Sequence, residues 1–181
     1  MSSGDDPAVY AASGRRFAAS VVGVVALIVD AEERFLMFSR DRPPSRDGAG
    51  VWEAISGGLE ARESLIDAVL REVREEAGSE LRVEPLGVVH AYTVPFDAVV
   101  THLTSICFLL RCEGGAIIPG DDMAGSDVGW LSAAELSGAR IGVPRGVPWI
   151  FERAVELHRL WAGNPPDLQP PLSFPDGSGP R

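Results

Sequence analysis

The sequence lacks a hydrophobic segment as long as a membrane helix requires. The longest nearly continuous apolar run, VVGVVALIV at residues 21–29, is far shorter than the roughly 20 apolar residues that cross a bilayer as a helix. The opening MSSGDDPAVY is polar and acidic, with no basic segment followed by an apolar one, so no secretory signal is visible. We therefore expect a cytoplasmic protein with no membrane partner.

Cysteine is scarce, and the only two cysteines, Cys107 and Cys112, are not expected to form a disulfide. They lie five residues apart in a segment with the composition of a β-strand, so their side chains should point to opposite faces. Both are expected to stay reduced, as is usual for cytosolic proteins.

Positive charge is also scarce. Only 16 Lys and Arg residues stand against 26 Asp and Glu residues, which gives a formal net charge of −10. This balance argues against a nucleic acid partner, because duplex binding depends on neutralising phosphates with Lys and Arg. An anionic small-molecule substrate would be repelled unless a divalent cation were bound, since such an ion can be the largest local charge in a site.

The length and the hydrophobic patterning predict one α/β domain in a chain of 181 residues. Apolar segments predict β-strands at 18–29 and 35–39, which the turn DAEER joins as a hairpin. Further strand-like segments are 51–56, 81–94, 102–112 and 128–131. One main helix is predicted after Gly58, and another begins near Pro148. Strands interleaved with these helices favour an α/β sandwich in which helices cover a mixed sheet.

Three regions are expected along the chain. Residues 1–17 are small and polar and predict a flexible N-terminal tail. Residues 18–162 carry the predicted strands and helices of the domain. Residues 163–181 are rich in Pro and Gly and predict a disordered C-terminal tail.

The first predicted helix has a clear apolar face. Ile66, Leu70, Val73 and Ala77 recur at helical spacing, which predicts that this face packs against the sheet. Gly78 follows directly and is typical of a residue that ends a helix.

The same helix crowds acidic side chains together. Glu72, Glu75 and Glu76 fall in a sector that adjoins the apolar face. Arg71 and Arg74 are expected in the outer sector. Carboxylates beside a buried face repel each other and have raised pKa values unless a cation is shared. Hard oxygen ligands suit Mg²⁺ or Mn²⁺. The glutamates alone leave open the alternative of a solvated acidic face.

The spacing around this helix resembles the signature of the Nudix hydrolases. That family's box reads G-x5-E-x7-R-E-U-x-E-E-x-G-U, where U is aliphatic. Every fixed glycine and polar position is present here, from Gly57 to Gly78. Ser79 departs from the aliphatic residue that usually closes the box, and Ile55–Ser56 stands where Pro-Gly is common. The resemblance implies a Nudix-type α/β/α sandwich with a mixed β-sheet, a catalytic helix after a Gly-rich loop, and a C-terminal helix.

The resemblance also implies roles for individual residues. The expected metal ligands are Glu72, Glu75, Glu76 and the backbone carbonyl of Ser56. These groups would bind Mg²⁺, for which Mn²⁺ can substitute. Arg71 and Glu63 resemble the pair that orients the carboxylates. One of the glutamates, Glu72 or Glu76, or an acid outside the box, would deprotonate the attacking water.

The implied activity is a Mg²⁺-dependent pyrophosphohydrolase that uses a metal-activated water. Its substrate would be a nucleoside diphosphate linked to another group, with a lean towards ADP-ribose or another nucleotide sugar. Nucleoside triphosphates and dinucleoside polyphosphates are the alternatives. An alternative of another class is a module that senses nucleotides without cleaving them. Dimerisation is common in the family, so a homodimer is one expected assembly.

Several residues outside the helix are candidates for binding the substrate. Arg40, Arg42 and Arg46 crowd one loop, where they either grip phosphate bidentately or balance Asp41 and Asp47. The sequence leaves both interpretations open.

Two further hints about the substrate conflict. Pro95 lies 16 residues after the box ends, where members that split ADP-ribose often carry a proline. Tyr92 lies close to the place where dinucleoside-polyphosphate hydrolases often carry a tyrosine. Gly57 and Gly58 are expected to bring backbone groups close to the ligand, because glycine permits sharp turns and close approach.

Other candidates have a more ordinary interpretation. Trp52 is expected in the core rather than stacked on a base, and His90 and His102 are expected to be ordinary strand residues. Asp121, Asp122 and Asp127 lie in a late loop where the family sometimes supplies another acid. The sequence does not choose among these three.

Overall fold

The computed structural model describes residues 8–40, 51–95, 100, 102–139, 141–143 and 148–161. The strands are β1 Ala8–Tyr10, β2 Arg16–Ala18, β3 Ser20–Val29, β4 Arg34–Arg40, β5 Val51–Glu53, β6 Ile55–Gly58, β7 Arg82–Pro95, β8 His102–Gly114, β9 Asp127–Ser132 and β10 Ile141–Val143. The helices are α1 Leu65–Ala77, α2 Ala133–Gly138 and α3 Trp149–Trp161, with a 3₁₀ turn at Asp121–Met123.

Eight strands form one mixed sheet. Its order is β10-β5-β4-β3-β8-β7, with β6 also paired to β3 and β9 also paired to β4. β3 runs parallel to β8 from the Ser20–His102 pair to the Val29–Arg111 pair, and β10 runs parallel to β5. The remaining pairs of this sheet are antiparallel. The predicted mixed sheet is therefore confirmed.

Apolar residues cover both faces of the central strand β3. Val25, Leu27 and Val29 face a core that also contains buried residues of α2 and α3. Residues 24, 26 and 28 of the same strand face a second core that contains the buried side of α1. Such alternation places successive side chains of a strand on opposite faces. Helices on both faces give the predicted α/β/α sandwich.

The two cysteines lie on opposite faces, as predicted. Cys107 belongs to the core beneath α3, Cys112 packs against the core beneath α1, and both thiols are free. Burial raises the pKa of Cys107 to about 12, so its thiol is inert at neutral pH.

Two segments differ from their predictions. The single strand expected at 51–56 is two strands, because the chain changes partners at the buried Ala54, from β4 to β3. The stretch expected to be a flexible tail contains the hairpin β1–β2, in which Ala8 pairs with Ala18. Its apolar side chains Val9 and Phe17 are exposed, so no buried pattern marks it in the sequence. The predicted boundaries of the tails stay predictions.

None of the helices in the described part of the chain is long and apolar enough to cross a membrane.

The α3 helix carries a histidine whose protonation should weaken the fold. The Nδ1 atom of His158 is buried and has no hydrogen-bond partner among the described residues. Burial lowers the pKa of His158, opposed by the nearby Glu33 and Asp30 and reinforced by the charges of Arg111 and Arg159. A lowered pKa means that the unfolded chain binds the proton more readily, so stability falls as the pH drops below the ordinary value of about 6.5.

We therefore expect His158→Gln to flatten the dependence of the urea midpoint on pH between about 7 and 5. His102→Gln is the matched control, since His102 is only partly buried at the start of β8, and it should retain the wild-type slope. An unchanged slope in the His158 variant would contradict this assignment.

Candidate active site

The helix α1 ends at Gly78 as predicted, and Ser64, which was not predicted, caps its start. The hydroxyl of Ser64 accepts a hydrogen bond from the backbone N–H of Asp67 at 3.1 Å, which caps the first turn. Gly78 ends the helix with φ 91°, and its N–H donates to the carbonyl of Arg74 at 3.2 Å. The strand β6, which ends in two glycines, therefore leads into a helix that is capped at both ends.

The buried side of α1 is rotated towards the glutamates relative to the predicted face. Glu72 and Glu76 are only 8% and 7% exposed, whereas Ile66 and Leu70 at the other edge are only partly buried. Glu75 points outward, with its side chain 58% exposed. The prediction that the glutamates adjoin the buried face is correct for two of them, and those two stand one helical turn apart.

The prediction that Arg71 lies in the outer sector of the helix is wrong. Its guanidinium lies at the centre of the hydrogen bonds of the site. Its Nε and Nη2 donate to the two carboxylate oxygens of Glu63 at 2.9 and 3.1 Å. Its Nη1 donates to Glu72 at 2.7 Å and to Glu75 at 2.9 Å. Nη2 also donates to the carbonyl of Gly58 at 2.8 Å. Only 18% of its side chain is exposed, because folding around these acceptors encloses it.

The pKa values of Arg71 and Glu63 shift in the directions that keep both side chains charged. Hydrogen bonding to Glu63, then to Glu72 and Glu75, raises the pKa of Arg71. Hydrogen bonding from Arg71 lowers the pKa of Glu63, and the backbone N–H of Glu60 donates to Glu63 at 3.1 Å as well. Both groups are therefore ionised at neutral pH, and the guanidinium holds three carboxylates in place.

Alternate backbone carbonyls of β6 point away from β3, and that of Gly58 is bound by the helix residue Arg71. β6 is antiparallel to β3, and the N–H of Leu59 donates to the carbonyl of Val22 at 2.9 Å. Bonded pairs alternate along such a ladder, so the carbonyls of Ser56 and Gly58 turn away from β3. Gly58 uses this orientation to accept from Arg71. Ser56 presents its carbonyl to the same edge.

Gly57 leaves the space that the Glu72 carboxylate occupies. A Cβ added at Gly57 would overlap the carboxylate carbon and both oxygens of Glu72. Only glycine lets this carboxylate lie against the strand.

Gly57→Ala should therefore displace the Glu72 carboxylate with little loss of stability, because the far end of a flexible side chain can move aside. We expect hydrolysis to fall about 10- to 100-fold, as when a site's supporting contacts are removed, with the melting temperature nearly unchanged. Gly138→Ala in α2 is the control, since no described atom lies within 4 Å of a Cβ there and Gly138 is outside the site. Equal losses in both variants would contradict the proposed role of Gly57.

A cavity of about 300 Å³ adjoins β6 on the sheet face that carries α2 and α3. Its described lining residues are Val21, Gly23, Val24, Val25, Ser56, Gly57, Gly58, Tyr92, Leu103 and Ser105. None of these is charged. The side chain of Tyr92 hydrogen-bonds to Ser105, and burial raises the pKa of Tyr92. Gly57 belongs to both places, since it lines the cavity and contacts Glu72, so the cavity adjoins the carboxylates.

A divalent metal is the cofactor that the sequence implies, and the donor chemistry fits it. Glu72 and Glu76 offer buried carboxylate oxygens, and Ser56 offers a carbonyl at the adjacent strand edge. These are the hard oxygen ligands that Mg²⁺ and Mn²⁺ prefer. Among the described residues, no three His, Cys, Asp or Glu side chains already converge on one point that could hold an ion. Glu75 is turned towards Arg71 instead.

Of the other residues predicted to bind the substrate, only some lie at the cavity. Tyr92 lines the cavity, whereas Pro95 is exposed at the end of β7. Arg42 and Arg46 lie outside the described residues, as does the side chain of Arg40 at the end of β4.

The residues given an ordinary interpretation follow it. Trp52 packs against the core beneath α3, as predicted. The ring of His90 contacts Tyr92 and Trp149 at centroid distances of 6.1 and 5.0 Å, while His102 starts β8. Of the three late-loop acids, Asp121 and Asp122 are exposed in the 3₁₀ turn, whereas Asp127 is the exposed first residue of β9 rather than part of the loop.

Sequence reasoning missed the hydrophobic walls of the cavity. Val21, Leu103 and Ser105 come together because β3 and β8 pair in parallel. The alternation of side chains along each predicted strand shows which residues share a face. It does not show that β3 and β8 are neighbours in the sheet, so the sequence could not bring these residues together.

Comparison with known proteins identifies the family. The NUDIX domain profile matches residues 19–150, which is most of the chain and contains the whole site. The chain belongs to the NUDIX family. This range lies inside the predicted domain of residues 18–162.

Individual relatives agree on the family but differ in their names. The NUDIX chain is 40% identical over 63 residues to a CTP pyrophosphohydrolase of Escherichia coli, covering 35% of this chain and 45% of that protein. It is 30% identical over 95 residues to an ADP-ribose pyrophosphatase of Methanocaldococcus jannaschii, covering 52% and 53%. The chain thus spans about half the length of these curated relatives.

A solved structure supports the fold. A NUDIX hydrolase from Nitrosomonas europaea superposes with a TM-score of 0.59 at 24% identity, covering 88% of this chain and 99% of that one. The predicted Nudix-type sandwich is confirmed by this likeness.

Proposed function

We propose that this NUDIX protein is a Mg²⁺-dependent pyrophosphohydrolase that cleaves a phosphoanhydride bond of a nucleotide. The observation that carries the proposal is the pair of buried carboxylates, Glu72 and Glu76, one helical turn apart beside an uncharged cavity. Burying two like charges side by side is costly unless a cation compensates. Arg71 binds the Glu72 carboxylate, and a divalent ion shared by the two carboxylates would offset the repulsion between them.

In this proposal some residues orient the carboxylates and others would bind the metal. Arg71, itself held by Glu63, orients the Glu72 carboxylate, while Glu76, Glu75 and the Ser56 carbonyl would complete the ligand set. Bound Mg²⁺ supplies Lewis acidity, which polarises phosphoryl oxygens and lowers the pKa of water.

The proposed step is a hydrolysis. The oxygen of water forms a bond to one phosphorus, and the bond from that phosphorus to the bridging oxygen breaks. The bridging oxygen leaves with the other phosphate, and a carboxylate, Glu72 or Glu76, takes the proton from the water. Two phosphorylated products result.

The described residues that line the cavity are uncharged, which favours a substrate with an uncharged, partly apolar end. Val21 and Leu103 provide apolar walls, and Tyr92 and Ser105 provide hydroxyls that can pair with a base or a ribose. An anionic diphosphate is then left outside the cavity, towards the helix. We infer a nucleoside diphosphate linked to another group, with ADP-ribose preferred and nucleoside triphosphates as the rival. The names of the two relatives support both classes.

The experiment is a comparison of kcat/KM across a panel with Mg²⁺ and with chelator. The panel holds ADP-ribose, a UDP-sugar, CTP, a dinucleoside tetraphosphate and a 5′-triphosphorylated oligonucleotide. We expect turnover only with metal and the highest value for ADP-ribose. The highest value for CTP would overturn the substrate assignment. Nucleotide binding without turnover of any substrate would favour a sensing module instead.

Tyr92→Phe probes the cavity directly. Loss of one hydroxyl contact should raise KM roughly 2- to 10-fold and leave kcat nearly unchanged, because the contact is made before and during reaction alike. Tyr10→Phe is the matched control, since Tyr10 is 64% exposed on the β1–β2 hairpin. A fall in kcat with KM unchanged would contradict this role.

The proposal extends to the setting of the protein. We propose the cytoplasm as its compartment, which suits the reduced Cys107 and Cys112. A small-molecule nucleotide is the proposed partner, and a homodimer is the proposed assembly, which sedimentation analysis would test.

A further inference from the structure

A glycine-rich segment between β8 and the 3₁₀ turn lies directly on the end of α1. The N–H of Ile118 donates to the carbonyl of Ala77 at 2.8 Å, and the N–H of Gly120 donates to the carbonyl of Glu76 at 3.1 Å. The last carbonyls of a helix lack partners within the helix. Here the segment supplies them from a part of the chain about 40 residues further on.

Gly120 makes the closest of these contacts. A Cβ added at Gly120 would overlap the carbonyl oxygen of Glu75, and it would lie 3.0 Å from the carbonyl carbon of Glu75 and 3.8 Å from the Cα of Glu76. These are backbone atoms, so no side chain can swing aside to make room. The glycine therefore rests on the peptide unit that joins the two last glutamates of the site.

We propose that Gly120 is a positioning residue for the metal ligands of α1. This inference rests on the proposed function, because it assigns a role through Glu75 and Glu76. The backbone of Gly120 contacts the peptide between them and donates a hydrogen bond to the carbonyl of Glu76, in the next peptide unit. The role assigned to Gly120 requires no contact with substrate or metal. An added methyl group would push the last turn of α1 away from the segment and shift both carboxylates.

A second glycine of the same segment provides the matched control. A Cβ at Gly115 would overlap the carbonyl oxygen of Glu80 and lie 2.8 Å from its carbonyl carbon, beyond the end of the helix. Gly115→Ala therefore disturbs the same segment without pressing on the glutamates. Gly138→Ala, where nothing lies within 4 Å, serves as an inert substitution.

The test is titration of Mn²⁺ into each purified protein by calorimetry, with melting temperatures measured without metal. We expect Gly120→Ala to bind Mn²⁺ about 10-fold more weakly than wild type, the range typical of lost supporting contacts. Gly115→Ala should bind within about 2-fold of wild type even if it melts earlier, because its effect on the ligands is indirect. Equal weakening in both variants, or none in Gly120→Ala, would overturn the positioning role.

Hydrogen exchange in the wild-type protein tests the same role without a substitution that could prevent folding. Mn²⁺ should slow exchange at the amides of Ile118 and Gly120 together with the last turn of α1. Unchanged exchange at both amides in a protein that binds Mn²⁺ would overturn the inference alone. Absence of Mn²⁺ binding and of hydrolysis by the wild type would overturn the proposed function, and this inference with it.

Discussion

Replacing Glu76 with Gln should reduce hydrolysis by at least about 10²- to 10³-fold, the loss typical when a group that stabilises charge in the transition state is removed. Glutamine has the same shape but cannot carry the negative charge that binds a metal or accepts a proton. Because glutamine fills the same space and Glu76 lies one turn from the like charge of Glu72, the variant should remain folded at the temperature of the assay.

The measurement pairs kcat with thermal unfolding in the absence of metal. Glu80→Gln is the control, since it removes the same charge from an exposed residue just past the helix, and it should match wild type in both. A Glu76 variant that retains wild-type turnover would exclude this carboxylate from the reaction. A variant that loses activity by unfolding would assign Glu76 to the fold instead.

Replacing Arg71 with Met should both destabilise the protein and abolish most of its activity. One guanidinium serves Glu63, Glu72 and Glu75, so its loss leaves neighbouring carboxylates without their cation. Breaking a buried ion pair from one side costs about 3–5 kcal/mol, and the 18% exposure of Arg71 lowers the expectation to roughly 2–4 kcal/mol. Urea unfolding at neutral pH measures this free energy.

Arg111→Met is the matched control. Arg111 also binds two carboxylates, those of Glu84 and Glu113, but near the solvent. Its loss should cost about 0–1 kcal/mol, as is usual for surface pairs. Equal losses of unfolding free energy in the two variants would contradict the expectation that the enclosed ion pairs of Arg71 stabilise the fold more than surface pairs do.

The pH dependence of stability gives a second readout for Arg71. Arg71 lowers the pKa of Glu63 in the folded protein, so the folded state holds its proton less readily than the unfolded chain. This contribution to stability is present above the ordinary carboxyl pKa and is lost as the pH falls towards the lowered value. The Arg71 variant should therefore lose less stability than wild type as the pH falls from about 5 to about 3.

Much of the fold follows from periodicity in the sequence. The continuous apolar run of β3 buries both faces of that strand, and the helical spacing of apolar residues in α1 buries one face of the helix, so both patterns report on burial directly. The helix end at Gly78 is equally local, since this residue acts within one turn. The change of partner at Ala54 was not predictable, because it depends on which strand lies beside each half of the segment.

The sequence named Glu63, Arg71 and Glu72 as candidates, and the structure brings them together in an arrangement that the sequence did not predict. A helical wheel that counts only apolar residues places Arg71 outside and centres the face on Val73. In the folded protein Glu63 and the Gly58 carbonyl reach back over the first turns of α1 and enclose Arg71. Hydrogen bonds between groups eight or more residues apart leave no periodic trace in the sequence.

The role of the glycine-rich segment was invisible for a similar reason. A run such as GGAIIPG reads as a loop by composition. Only the fold shows that Gly120 lies on the peptide between Glu75 and Glu76. Long-range backbone contacts depend on the path of the whole chain.

Hydrolysis in water labelled with ¹⁸O tests most directly whether this NUDIX protein splits a phosphoanhydride with water. The protein would be incubated with Mg²⁺ and ADP-ribose, and the products AMP and ribose 5-phosphate would be analysed by mass spectrometry. We predict one labelled oxygen in the phosphate of one product, no turnover with chelator, and none in Glu76→Gln. Products without label, or labelled products formed equally well with chelator, would contradict hydrolysis by a metal-activated water at these carboxylates.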